Sequence, residues 1–466
     1  MTFLLFLMAL TVNLTTDLVK EYAIAEPKYR IESIVILGNE KTRQAIILRE
    51  ITFSVGDSLT LELLEKEVER SRRNIYNTNL FVYCLADFDF ENGKANVFIE
   101  VKERLYLLPL PILFLADRSF NEWWYNRNHD FKRLIYGFQL NHTNLTGNGD
   151  FLKLKAYGGF VPYFELSYGR PYIDKRQRMG VRGGVFYSNQ KSFAYRTWND
   201  KLDFVESEEV MKERKGFFVE YNLRNVLYHA HKVYLGYTEI KLSERAVELN
   251  PNYFESAGRF LPYFTFKYNY RFEKVNNIQY PLEGRILGAS LINYGLGASK
   301  HVNHTAIGFE FHDFFALGRR FYANFGFKGQ LSAPKRQLYQ FVSAFGPRNI
   351  LVRGYELNVI DGQHFGLLRS NLKYEVSNNI IDISKLLKIK QFNSVPLAIY
   401  TNIYGDLGYV KNYFPELSHS TLANKFLYGG GVGVDVVTFY DTAVKVNFSV
   451  NQTGFSKFYF GVQRGI

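Results

Sequence analysis

The side chains able to do covalent chemistry are few and poorly spaced for it. His229 and His231 stand two apart, and His301 and His304 three apart, at the ends of alternating stretches. That pattern suits turn or interface histidines better than metal ligands. Cys84 is the single cysteine, which excludes an intramolecular disulfide framework and a cysteine-cluster zinc site. It reads as a small apolar residue. There is no G-x-S-x-G elbow, no P-loop and no H-E-x-x-H helix, the arrangements that activate a nucleophile, cradle phosphate or hold zinc. Gly429 to Gly433 lie inside an alternating stretch with no helix after them, so they suit a bent sheet wall and not a dinucleotide cradle. We expect no catalytic residue, no metal and no cofactor.

What remains is non-covalent. "ILVRGYELN", residues 350–358, sets Arg353, Gly354 and Tyr355 together in a long connection between alternating stretches. Two acids lie on polar strand faces. Glu375 shares its face with Asn371, Lys373 and Ser377, and Asp406 with Asn402 and Tyr404. Leu372, Tyr374, Ile403 and Leu407 take the opposite face. A guanidinium removed from water needs a charged or bidentate partner. On the residues alone, an ordinary Arg-Gly turn on a solvated loop is the simpler alternative.

Two segments of different period must position these groups. Residues 29–104 are mixed: a strand ending at Gly38-Asn39, the helical "KTRQAIILREI", and a second helix with Leu61, Leu64, Val68 and Ile75 near helical spacing. A hairpin around Glu91-Asn92-Gly93 follows. The order βααββ makes one small α+β domain. From residue 131 the period is two. In "PYFTFKYNYRFE", Phe264, Phe266, Tyr268, Tyr270 and Phe272 share one face, and Thr265, Lys267, Asn269 and Arg271 the other.

Such alternation fits a soluble sandwich or a transmembrane barrel. Strand length near that of a tilted membrane strand, the lack of helices after residue 131, and 42 Phe with 34 Tyr favour the barrel. A mean hydropathy of −0.18 is no objection, because lipid-facing and inward residues alternate. Sixteen antiparallel strands are expected, from 131–142 to 454–463, with 192–205 among them. Residues 105–130 read as a linker. Residues 1–25 read as an export signal, an apolar run followed by Ala23-Ile24-Ala25. The net charge of +12 is scattered over strands and loops, so no nucleic-acid partner is expected.

The first segment, "IVILGNEKTRQAIILREITFSVGDSLT…NIYNTNLF", resembles a polypeptide-transport-associated (POTRA) repeat. "NLTGNGDFLKLKAYGG", "LSYGRPYID", "VRGYE", "YGDLGYV" and "GGGVGVDVV", in that order, resemble the bacterial surface antigen family, the BamA/TamA-like outer-membrane assembly superfamily. The resemblance implies a POTRA domain at 29–104 in the periplasm and a barrel at 131–466 in the bacterial outer membrane. It implies a non-enzymatic factor that inserts outer-membrane proteins or translocates polypeptides. Its partners would be unfolded outer-membrane or secreted clients, outer-membrane lipid and accessory lipoproteins. Clients would add as strands to the POTRA domain, and a lateral seam would lie between the first and last barrel strands. Arg353, Gly354 and Tyr355 would form the tip of an infolded loop at about 332–363, with Arg353 docked against Asp406 and Glu375. The alternative in another class is a passive pore or structural barrel subunit.

Overall fold

The computed structural model describes residues 27–116, 123–124, 127–255, 258–299, 301–346, 350–382, 394–438 and 442–463. The expected leader at 1–25 lies outside them.

The N-terminal domain folds as β1 (Lys28–Leu37), α1 (Gln44–Leu48), β2 (Ser58–Thr60), α2 (Leu61–Tyr76), β3 (Phe81–Glu91) and β4 (Lys94–Glu103). The expected βααββ order holds, with one short strand added. Ser58–Thr60, which reads in the sequence only as a break, pairs antiparallel with the start of β1. Thr60 ends that strand and caps α2, its hydroxyl accepting from Leu63 N–H at 3.4 Å. The sheet order is β2-β1-β4-β3, with β3 at one edge and, beyond the three residues that β2 covers, β1 at the other. Leu64, Val68 and Ile75 of α2 pack with Ile31, Phe81 and Ile99 into a buried core.

Sixteen strands then form one antiparallel sheet. They are β5 (Leu107–Leu115), β6 (Leu134–Thr143), β7 (Phe151–Gly159), β8 (Tyr163–Arg170), β9 (Met179–Gln190), β12 (Lys212–Val226), β13 (His229–Leu242) and β14 (Phe260–Val275). The second half is β15 (Gly284–Tyr294), β16 (His304–Ala316), β17 (Phe321–Ala333), β20 (His364–Asp382), β21 (Ser394–Lys411), β22 (Phe426–Thr438), β23 (Thr442–Asn451) and β24 (Ser456–Gln463). Two hairpins stand outside the sheet: β10 (Phe193–Trp198) with β11 (Lys201–Val205), and β18 (Ser343–Phe345) with β19 (Ile360–Asp361).

The number sixteen agrees with the sequence, but its membership differs at two places. Residues 192–205 are not one wall strand. Asn199 and Asp200 both take positive φ, 49° and 57°, and a two-residue turn of that hand folds the stretch into the β10–β11 hairpin. The alternation runs through the turn and hides it. Conversely, 107–115 is no linker but the first wall strand, paired with β6 over its length. "LLPLPILFL" has no polar alternation and contains two prolines, so nothing in its pattern marks a strand.

The face pattern explains the sheet. Phe217, Leu235, Phe309, Leu331, Ile403 and Val432, on six different strands, are at least half exposed. On the other face, residues such as Thr238, Thr265, Asn402 and Asp406 are buried. An apolar outer surface of this extent needs lipid to cover it. The sheet curls on itself. Tyr280, in the β14–β15 turn, bonds with Asp435 of β22. Asp200 of the β10–β11 turn accepts from Thr421 N–H at 2.8 Å in the β21–β22 loop.

The N-terminal domain is fastened beneath one end of this sheet. Glu50 is buried, and Arg224 at the end of β12 forks onto its carboxylate at 2.7 and 2.9 Å. Arg49 reaches the same carboxylate and donates to the Gln177 carbonyl at 2.6 Å. Arg43 N–H donates to the Gly147 carbonyl, and Ile278 N–H to Asn77 Oδ1. Arg70 Nε donates to the Tyr228 hydroxyl at 2.9 Å. The domain thus holds the sheet at the β6–β7, β8–β9, β12–β13 and β14–β15 turns.

Two outcomes follow. Glu50→Gln removes the charge that Arg224 and Arg49 share. Its cost falls toward the lower end of the roughly 3–5 kcal/mol typical of a broken buried pair, since Arg224 keeps 31% of its side chain exposed. Hydrogen exchange should rise at 171–178 and 224–228; unchanged exchange there would mean that this ion pair does not fasten the domain. Cys84 is buried under α2, and burial pushes its thiol up to about 12. Maleimide should label it only when denaturant opens the domain, and rapid labelling of the native chain would contradict this packing.

Candidate functional site

The connection between β17 and β20 folds into the sheet from the end opposite the N-terminal domain. Val352, Tyr355, Ile360 and Phe345 pack with Phe365, Val410 and Leu427 of the wall into a buried cluster. Arg353 stands at the tip of this infold. Its Nε donates to Asp406 Oδ2 at 2.9 Å, its Nη2 donates to Asp406 Oδ1, and its own backbone N–H reaches Oδ2 at 3.0 Å. Nη1 donates to Asn371 Oδ1 at 2.5 Å and Nη2 to the Ser370 carbonyl at 3.2 Å. The guanidinium lies 3.9 Å from the Tyr404 ring centroid. The Asp406 side chain is completely buried and that of Arg353 is 16% exposed. Arg369 approaches the same carboxylate at 3.6 Å.

Glycines make the approach possible. Gly354 has φ +97°, and a Cβ there would stand 3.1 Å from Asn451 Cβ. A Cβ on Gly429 would lie 2.0 Å from the Arg353 carbonyl oxygen, so the wall must be bare where the loop crosses it. Asn451 Nδ2 donates to the Gly354 carbonyl at 2.8 Å, and Gly354 N–H to Glu356 Oε2 at 2.7 Å.

The structure thus brings Arg353, Gly354, Tyr355 and Asp406 together and leaves Glu375 apart. Glu375 accepts from the Tyr400 hydroxyl at 3.1 Å. Parity gives the face of a residue and not its height. Asp406 pairs with Arg369 across the ladder, and Glu375 is six residues further along β20, roughly 20 Å at about 3.3 Å per residue.

Glu375 borders a second polar centre that the sequence does not suggest. The turn 276–283 folds inward from the N-domain end and carries Tyr280. Its hydroxyl donates to Asp435 Oδ2 at 2.6 Å. Lys373 Nζ lies 3.6 Å from the same carboxylate and 3.9 Å from the Tyr280 ring centroid. Asn402 Nδ2 donates to Asp435 Oδ1 at 3.2 Å. Tyr280 and Tyr400 rings lie 5.2 Å apart. Asp435 sits between Val434 and Val436, so the parity argument used for Asp406 marks it equally well; only its partner in a distant turn is hidden. His229 and His231 pair with the Tyr270 and Tyr268 hydroxyls. Among the described residues no cluster of three His, Cys, Asp or Glu could hold a metal ion.

Comparison with known proteins decides the first domain. The family model for POTRA, described as a surface antigen variable number repeat, matches residues 29–104. Residues 29–104 are a POTRA domain. With it, nearly the whole chain superposes on solved structures of the same architecture. BamA from Haemophilus ducreyi lacking POTRA domains 1–3 matches with TM-score 0.51 and 14% identity, over 93% of this chain and 84% of that one. CdiB from Escherichia coli matches with TM-score 0.52 and 9% identity, over 95% of this chain and 91% of that one. No curated protein matches the chain by sequence. The chain has one POTRA domain followed by a β-barrel, the fold that the BamA and CdiB structures share. In this fold the POTRA domain is fastened to one end of the barrel and the Arg353 loop enters from the other.

The loop anchor is testable. Arg353→Ala leaves the buried Asp406 only Arg369 at 3.6 Å and should cost toward the lower end of the roughly 3–5 kcal/mol typical of a broken buried pair. Arg353→Lys should rescue little, because an ammonium cannot make the forked contact. Asp406→Asn should do nearly the same as Arg353→Ala, and the double change should cost less than the sum. Loop proteolysis and single-channel conductance measure it; strictly additive effects would mean that the pair is not coupled.

Proposed function

We propose that this chain is an outer-membrane assembly or translocation factor, which inserts outer-membrane proteins or passes a polypeptide across the membrane. The observation that carries the reading is that the barrel interior is occupied from both ends, by the Arg353 loop and by the Tyr280 turn. A passive pore has no use for two infolded stoppers held by buried charges. A translocator needs a path that stays shut until a client arrives. The names of the matched structures, BamA and CdiB, fit this class, and their likeness supports the fold.

In this reading the POTRA domain lies in the periplasm and takes clients by strand addition, which gives affinity through main-chain hydrogen bonds without demanding a sequence. Two edges are open to this: β3, residues 81–91, and the part of β1 beyond Ile31, because β2 covers only Lys28–Arg30. Accessory lipoproteins would dock on the POTRA side and lipid would cover the apolar outer face. No catalytic residue or cofactor enters. The lateral seam, expected between 131–142 and 454–463, moves by one strand: the sheet ends at β5 and β24.

Depletion of the protein followed by outer-membrane proteomics tests the proposal. Loss of many barrels identifies general assembly, and loss of one exported protein identifies a dedicated translocator. An unchanged proteome would refute both and favour a structural barrel.

A further inference from the structure

β5 and β24 stand at the two ends of the sixteen-stranded sheet. β5 bonds to β6 through its even-numbered residues. Just beyond its two ends, Thr143 N–H donates to the Tyr106 carbonyl and Ala116 N–H to the Arg133 carbonyl, both at 2.8 Å. The register of 107 with 142 through 115 with 134 carries this alternation between them. The odd-numbered residues Leu107, Pro109, Pro111, Leu113 and Leu115 therefore direct their backbone away from β6. Two adjacent members of that outward row are prolines, which have carbonyls but no N–H.

We infer that Pro109 and Pro111 make the outward edge of β5 acceptor-only at its middle, and that the strand lying against it is β24 of the same chain, held loosely for that reason. The inference deepens the proposed lateral seam and rests on that reading. The occupant follows from the sheet. Sixteen antiparallel strands leave β24 running opposite to β5, as a closing ladder requires, and the two have eight and nine residues. The curl shown by Tyr280 meeting Asp435 turns the two ends toward each other. Leu107 and Leu113 of β5, and Phe458 and Phe460 of β24, all expose their side chains, so the closed pair continues the lipid-facing surface. A ladder across this seam can form the bonds donated by β24 to the carbonyls of Pro109 and Pro111, but not the two return bonds. Every other pair of neighbouring wall strands has both kinds available at its centre. The prolines thus place the weakest ladder of the wall at the one position where parting two strands breaks no chain connection.

The test is hydrogen exchange of the full chain in lipid nanodiscs, without client. The Pro109→Ala/Pro111→Ala variant restores two donors. Exchange of the 455–463 segment should slow on the order of tenfold, as two added hydrogen bonds would give, and the new amides at 109 and 111 should be protected. Leu107→Ala/Leu113→Ala, which trims side chains on the same row and adds no donor, should not slow it. Unprotected new amides would overturn the inference, and so would protected amides with unchanged exchange in 455–463, which would place another strand at this edge. Because no client is present, this result stands apart from the depletion experiment. A sealed seam should also lower client assembly in cells; normal assembly with a tightened β24 would leave the seam real and refute its use.

Discussion

A strand that crosses hydrocarbon has no water to satisfy its amides, so each backbone donor and acceptor must find a partner in a neighbouring strand. The rest of this molecule is arranged around that demand. It forces the wall to be one antiparallel sheet and drives that sheet to curl. It also turns side-chain alternation into a strict division, with Phe217, Leu235 and Ile403 outside and Thr265, Asn402 and Asp406 inside. Proline is tolerated in such a wall only where a donor is not needed by the paired neighbour, which is why its position in β5 is informative.

The same division creates the second problem, an interior lined with charge. The side chains of Asp406 and Asp435 are buried, and an isolated carboxylate there would be costly. Each is satisfied by a group that arrives from outside the wall's own ladder: Arg353 from a distal loop, Tyr280 from a turn near the POTRA domain. The wall supplies the fixed anion and a connection supplies the partner. Glycine at 354 and 429 lets backbone cross backbone at the first anchor.

Much of this is legible in the sequence, for reasons that also explain what is not. Period two decides which face each residue takes, so alternation alone places Asp406 inward. Period says nothing about height along a strand, so it cannot test the resemblance's placing of Glu375 beside Arg353; Glu375 stands with Tyr400 near the Tyr280 centre. Period also fails where a turn preserves alternation, as at Asn199-Asp200, and where a strand has none, as at 107–115. The POTRA segment is clear because its helix and hairpin signals are local. Its attachment through Glu50 and Arg224 joins residues 174 apart in sequence, and no local pattern reports such a pair.

One contact bears on the order in which the parts can move. Asn451 closes β23, one strand in from the end of the sheet, and its amide holds the Gly354 carbonyl. β24 can swing away while that bond stays intact. Moving β23 as well breaks the bond, because the tip of the loop is fastened to that strand. The loop therefore acts as a two-stage interlock: a gap one strand wide parts Tyr459 of β24 from the loop's Glu356 and leaves the Asn451 bond in place, and a wider one breaks that bond too.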